Sequence, residues 1–109
     1  MKPEKRARVA ALNDQLRQKG IGGRILMTTG VTDQGRKFVL AVVAAMRKYS
    51  DFTGDNDPYG EHDFAAMTVE GQRVFWKIDY YDQDMRMGAA DPAAETTSRV
   101  LTVGLANEY

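Results

Sequence analysis

Two runs of strand-forming residues, DFAAMTV (63–69) and QRVFWKIDYYD (72–82), are separated only by Glu70 and Gly71. A two-residue connection with glycine in second place suits the positive-φ turn that joins antiparallel strands, so the segment reads as a β-hairpin. So short a loop also sets the register. Val69 faces Gln72, Met67 faces Val74 and Ala65 faces Trp76, while on the other side Phe64 faces Lys77 and His62 faces Asp79. Val74, Trp76, Ile78 and Tyr80 then share one side as a core stripe. The opposite side carries Phe64, Phe75 and Tyr81 among the charges of Lys77 and Asp79, a surface either covered by another element or left for binding.

A hairpin alone cannot bury its apolar side, so the rest of the chain has to cover it. RILMTTG, closed by Gly30, supplies a further short strand at about 24–29. Residues 4–19 form a basic amphipathic helix in which Val9, Leu12 and Leu16 line one side, Lys5, Arg6, Arg8 and Arg17 the other, and Gly20 stops the helix. A second helix starts near Thr32 or Asp33 as N-cap and runs to about Lys48. Its middle, FVLAVVAAM (38–46), is apolar on nearly every side and is expected to pack centrally; its length favours helix over a buried strand. QDMRMGAADPAAE (83–95) reads as a loop. Over 96–109 two periods compete: Leu101, Val103 and Leu105 alternate like a strand, while Leu101, Leu105 and Tyr109 fall on one helical stripe that Thr97 and Val100 extend, which favours helix. At 109 residues the chain suits a single α+β domain, the hairpin and at least one further strand packed against two or three helices.

Composition narrows the function classes. There is no cysteine, which removes disulfides, thiolate catalysis and Cys-based zinc sites. GIGG (20–23) lacks both the length and the preceding strand of a nucleotide loop. The first 20 residues hold no apolar run of signal-peptide length, so the expectation is a cytoplasmic protein with no membrane anchor. Net charge is zero, against general affinity for nucleic acid, yet residues 1–49 hold 11 Lys/Arg against 3 Asp/Glu and residues 50–109 hold 4 against 12. Such asymmetry suits self-association or a partner of one strong sign if the halves form separate faces; the favoured expectation is that they interleave in the fold and the charges mix on the surface.

DNDPYGEHDF (55–64) gathers four acids and the chain's single histidine in ten positions. Asp55, Asp57, Glu61 and Asp63 offer hard oxygen ligands, but an EF-hand frame from Asp55 puts Tyr59 at its fifth position and Ala66 at its twelfth, so the bidentate glutamate is missing. A zinc site would need more than one histidine. As a catalytic pair His62 and Asp79 lack any nucleophile placed beside them, and no catalytic residue, metal or cofactor is assigned. Asp57-Pro58-Tyr59-Gly60 matches a type I turn that delivers the chain into the hairpin, with His62 and Asp79 as a cross-strand pair. Asp55, Asp57, Tyr59, Glu61, His62, Asp63 and Asp79 are the candidate ligand or partner loop, and Phe75, Lys77 and Tyr81 the candidate surface strand.

DNDPYGEHDF, VFWKIDYYD (74–82) and the DP…SRVLTVGLANEY ending resemble the small bacterial proteins grouped as domain of unknown function 3768. The resemblance covers about 24–109 and leaves the helix at 1–19 outside it. It brings no activity, cofactor or catalytic residue; the occurrence of similar proteins on plasmids and mobile elements implies a role in conflict between host and element. Three functions follow as expectations: a non-enzymatic module that binds a protein partner, a metal-dependent or His-assisted enzyme on the 55–63 loop, and nucleic-acid binding through the basic N-terminal helix, the last disfavoured by the net charge. A homo-oligomer is compatible with each.

Overall fold

The computed structural model describes residues 2–82, 88, 91–94 and 96–109. The expected loop at 83–95 lies largely outside the described residues. Helix α1 (Pro3–Lys19) opens with proline in its first turn and ends at Gly20, which takes up the left-handed φ of 71°. Strand β1 (Arg24–Met27) leads into a single turn, α2 (Thr29–Thr32), and then α3 (Arg36–Lys48). The hairpin is β2 (Phe64–Val69) and β3 (Gln72–Tyr81); β4 (Ser98–Leu105) and a short 3-10 turn, Ala106–Glu108, follow.

The hairpin register is as read from the turn. Phe64 pairs with Lys77, Ala65 with Trp76, Met67 with Val74 and Val69 with Gln72. Glu70 and Gly71 have φ of 49° and 80°, the two positive values that a primed two-residue turn requires. Among the described residues four strands form one sheet in the order β1-β4-β3-β2, parallel between β1 and β4 and antiparallel elsewhere. Helices α1 and α3 pack on one side of it. Val74, Trp76, Ile78, Leu101 and Val103 from the sheet meet Leu16, Phe38, Val42 and Met46 from the helices. Trp76 is fully buried, with Tyr49 and Phe52 edge-on at 6.0 and 6.1 Å.

Three expectations are corrected. Residues 98–105 are a strand, not a helix. β3 and β1 both need a hydrogen-bonding neighbour, and β4 between them satisfies both, with Leu101, Val103 and Leu105 towards the helices and Val100, Thr102 and Gly104 towards the open side. Gly104 permits this: a Cβ there would stand 2.7 Å from Thr28 Cγ2 and 2.9 Å from Phe75 Cε1. The second helix begins at Arg36 rather than at Thr32 or Asp33, because those two residues belong to the one-turn α2 and its C-cap, and Gly35 at φ 95° redirects the chain. Nor is that helix central. It buries Phe38, Val42 and Met46 and leaves Leu40 57% exposed, since nothing among the described residues covers its outer side.

Candidate functional site

Two places on the fold gather the residues singled out by the sequence. The first is where the 51–63 loop meets α1. Its turn forms: Gly60 N–H donates to the Asp57 carbonyl at 3.1 Å, and the Asp57 carboxylate turns inward to accept the His62 amide at 3.3 Å. Asn56 closes the preceding bend by accepting from Thr53 N–H and donating to the Asp51 carbonyl. His62 sits at φ 55°, outside β2, so its ring leaves the sheet and does not face Asp79. The expected His62–Asp79 pair is therefore corrected. The imidazole lies flat on Phe52, ring centroids 4.0 Å apart, and its Nδ1 lies 3.0 Å from the Asp14 carboxylate, with Asp57 Oδ2 3.7 Å from Nε2. A carboxylate only accepts, so Nδ1 carries the proton.

Beneath this ring lies a buried polar network that the sequence reading missed. Arg17, expected on the polar side of α1, is 1% exposed. Its guanidinium donates to the Met46 and Tyr49 carbonyls at 2.9 Å each and to Asp14 at 2.8 Å, and it lies 5.2 Å from the Trp76 ring. It thus satisfies the C-terminal carbonyls of α3, which no helix can satisfy for itself. Asn13 donates to the Glu61 carbonyl at 3.0 Å and to the Tyr80 oxygen at 2.8 Å, and accepts from Arg99 Nε at 3.0 Å. Tyr80 donates in turn to the Glu61 carboxylate at 3.2 Å, and Arg99 also donates to the Pro92 carbonyl. Burial pushes the Tyr80 phenol well up and the Arg99 guanidinium down from its usual range. Burial, helped by Glu61, raises Asp63 to about 6. One signal was present: Val9, Asn13 and Leu16 share a helical stripe, which puts an amide where an apolar side chain belongs.

These contacts make the loop a fastener between α1, the end of α3 and the sheet. No hydroxyl among the described residues hydrogen-bonds to the imidazole, and no group of three or more His, Cys, Asp or Glu side chains there is gathered around a cation position. Tyr59, 66% exposed, faces outward with Arg6 6.0 Å away, and Asp55 is exposed. Much of the basic helix is also engaged within the chain: Lys5 pairs with Asp91 at 2.9 Å and Arg17 is buried.

The second place is the open side of the sheet. Here Phe75, Lys77, Asp79 and Tyr81 of β3 stand in a row beside Val100 and Thr102 of β4 and Leu26 of β1. Tyr109 closes one end, edge-on to Phe64 at 5.6 Å and to Phe75 at 5.1 Å, so Phe75 is buried from this side although no α-helix among the described residues covers it. Glu108 anchors that end by accepting from Thr28 Oγ1 at 2.6 Å, Leu105 N at 2.9 Å and Gly30 N at 3.0 Å, bonds that hold its carboxyl below the usual range. The result is a groove of about 490 Å³ with an apolar floor, the Lys77–Asp79 ion pair at 3.2 Å on it, and Leu26 52% exposed along it. The expected surface strand thus falls in one groove, and Asp79 belongs to it rather than to the acidic loop. Leu26, Val100, Thr102 and Tyr109 were not foreseen, because they reach this groove only once β4 is placed in the middle of the sheet.

The sequence model of a family described as "Protein of unknown function (DUF3768)" matches residues 27–108. No curated protein and no solved structure matches the chain. No helix among the described residues is long and apolar enough to cross a membrane.

Proposed function

This chain belongs to the DUF3768 family, whose description assigns no activity, and from its geometry we propose a non-enzymatic module that binds a protein partner in the groove on the open side of its sheet. The carrying observation is the combination in one groove of exposed Leu26, an apolar floor and a charge pair. An antiparallel sheet side open to water ordinarily reads as polar, and exposed apolar and aromatic side chains gathered in one groove there support it as a place where another surface docks. Leu26 and the Tyr81 and Tyr109 rings supply the apolar and aromatic contacts that dominate binding energy at such interfaces. Lys77 and Asp79, in the middle of the row, set orientation, since charge complementarity governs specificity and encounter more than affinity.

The acidic loop enters this reading only as support. With His62 stacked on Phe52 and bonded to Asp14, and with Asp57 spent on the turn, these two side chains hold the chain together rather than reach for a ligand. The test is a photo-crosslinking benzoylphenylalanine in place of Tyr81, compared with one in place of exposed Arg8 on α1, in cells that produce the protein naturally. A discrete adduct from position 81 that Leu26→Asp removes, and none from position 8, is expected. Adducts from both positions alike, or from neither, would refute the groove as the docking place.

A further inference from the structure

We propose that this chain pairs with a second copy of itself along the free edge of β2, joining two four-stranded sheets into one. This surface is distinct from the groove on the open side, so the two readings stand or fall separately.

The pairing pattern of the hairpin shows which backbone groups are free. Ile78 N–H donates to the Asp63 carbonyl at 2.8 Å. In an antiparallel ladder hydrogen-bonded and non-bonded pairs alternate, so Ala65, Met67 and Val69 bond to β3, while Phe64, Ala66 and Thr68 direct their N–H and C=O groups away from it. Among the described residues β2 has β3 as its strand neighbour and none on its other edge. Native sheets protect such an edge with lysine, proline, a bulge or shortness. β2 has none of these devices: FAAMTV is six uncharged residues in unbroken register, with Ala66 and Thr68 exposed. The sheet's other edge, β1, is protected in two ways, being four residues long and beginning with an exposed arginine.

A second copy fits this edge because the strand is its own complement. With a two-fold axis at Ala66, that residue lies across from the partner's Ala66, and Phe64 lies across from the partner's Thr68. The three outward residues then exchange about six N–H···O bonds across the seam. Two alanines at the centre leave room for the close approach, and each Phe64 ring covers a threonine methyl. The acids that flank the strand do not meet: Asp63 falls opposite the partner's Val69, and Glu70 opposite the partner's His62. Such an isologous contact closes on itself at two copies. The axis runs perpendicular to the sheet, so both grooves open on the same side of the dimer. A partner with two copies of its docking segment would gain avidity from that arrangement.

Sedimentation of the purified chain is expected to give twice its 12.2 kDa mass at concentrations up to about 100 µM. Ala66→Lys and Ala66→Glu each place like charges face to face on the axis and are expected to sediment as monomers, with dissociation raised more than about tenfold. Mixing the two variants restores the dimer, because the lysine of one copy then meets the glutamate of the other. Ala66→Pro removes one outward N–H without touching the bonds to β3 and is also expected to be monomeric, with an unchanged far-ultraviolet circular dichroism spectrum as the check on folding. A wild-type chain that stays monomeric throughout that range, or Ala66→Lys and Ala66→Pro chains that dimerise like wild type, would overturn the proposal.

Discussion

Replacing Arg17 by methionine tests the central claim about the fold, that a buried cation fastens α1 to the end of α3. Methionine keeps most of the stem's volume and its contact with aromatic rings, so the loss reports the polar bonds and not a cavity. The guanidinium makes three close bonds, to the Met46 and Tyr49 carbonyls and to Asp14. Hydrogen bonds to a charged group each contribute about 1.5–3 kcal/mol, and a simple sum would reach roughly 5–9 kcal/mol. That sum is too large. All the carbonyl bonds, including a longer one to Arg47 at 3.4 Å, come from the single nitrogen Nη1, and Asp14 is partly exposed and retains His62, so the substitution leaves only carbonyls at this helix end poorly satisfied. Removing the charge also relieves its own desolvation, and the net loss comes to about 3–4 kcal/mol, within the usual range for breaking a buried pair. Against a typical total of about 5–15 kcal/mol the midpoint of urea unfolding should fall steeply, with an unchanged denaturant slope. Arg17→Lys keeps the charge but not the planar fork and should lose roughly half as much. A loss below about 1 kcal/mol for Arg17→Met, or a gain, would show that burying this cation costs as much as its bonds return. Arg17 would then not be what fastens α1 to the end of α3.

Gly104→Ala forces a methyl group against Thr28 and the Phe75 ring, and overpacking of this kind should cost about 1–3 kcal/mol of stability in chemical denaturation. Asp63 has a folded pKa raised to about 6, so its folded form binds the proton more tightly than its unfolded form. Its contribution is full below the unfolded value near 4 and is lost as pH rises through about 6. Asp63→Asn should accordingly raise the melting temperature at pH 7 and flatten its pH dependence between about 4 and 6, whereas a lower melting temperature at pH 7 would contradict the burial argument. Glu108 is shifted the opposite way, so its bonds are present above the ordinary glutamate range and lost as pH falls through the lowered value. In Glu108→Gln the amides of Gly30 and Leu105 should exchange with solvent faster at neutral pH than in wild type, and equal rates would remove the anchoring role of this carboxylate.

The hairpin was legible because everything that specifies it is local. Glu70 and Gly71 set the turn, the turn set the register, and the two-residue alternation from Val74 to Tyr80 picked the buried side. α1 was legible for the same reason, through its spacing and Gly20. The sequence alone also removed disulfides, thiolate catalysis and Cys-based zinc sites, since the chain has no cysteine. Only the tertiary structure decided the fate of 98–105. Its two periods nearly tied, and the tie was broken by β1 and β3, distant in sequence, each presenting an edge that a helix could not have filled. Arg17 went inward for a similarly non-local reason: the carbonyls it satisfies belong to a helix end about 30 residues later, and no pattern within α1 refers to them. His62 left the strand because the Asp57 turn gave it a positive φ and Asp14 lay within reach, so its partner came from α1 and not from the facing strand. The groove depends on the same placement, for Leu26, Phe75 and the pair Thr102 and Tyr109 come from three separate stretches of chain. Periodicity and turn chemistry act over a few residues and can be read directly, whereas the pairing of edges and the satisfaction of buried polar groups depend on which segments meet, and that is settled only when the whole core closes.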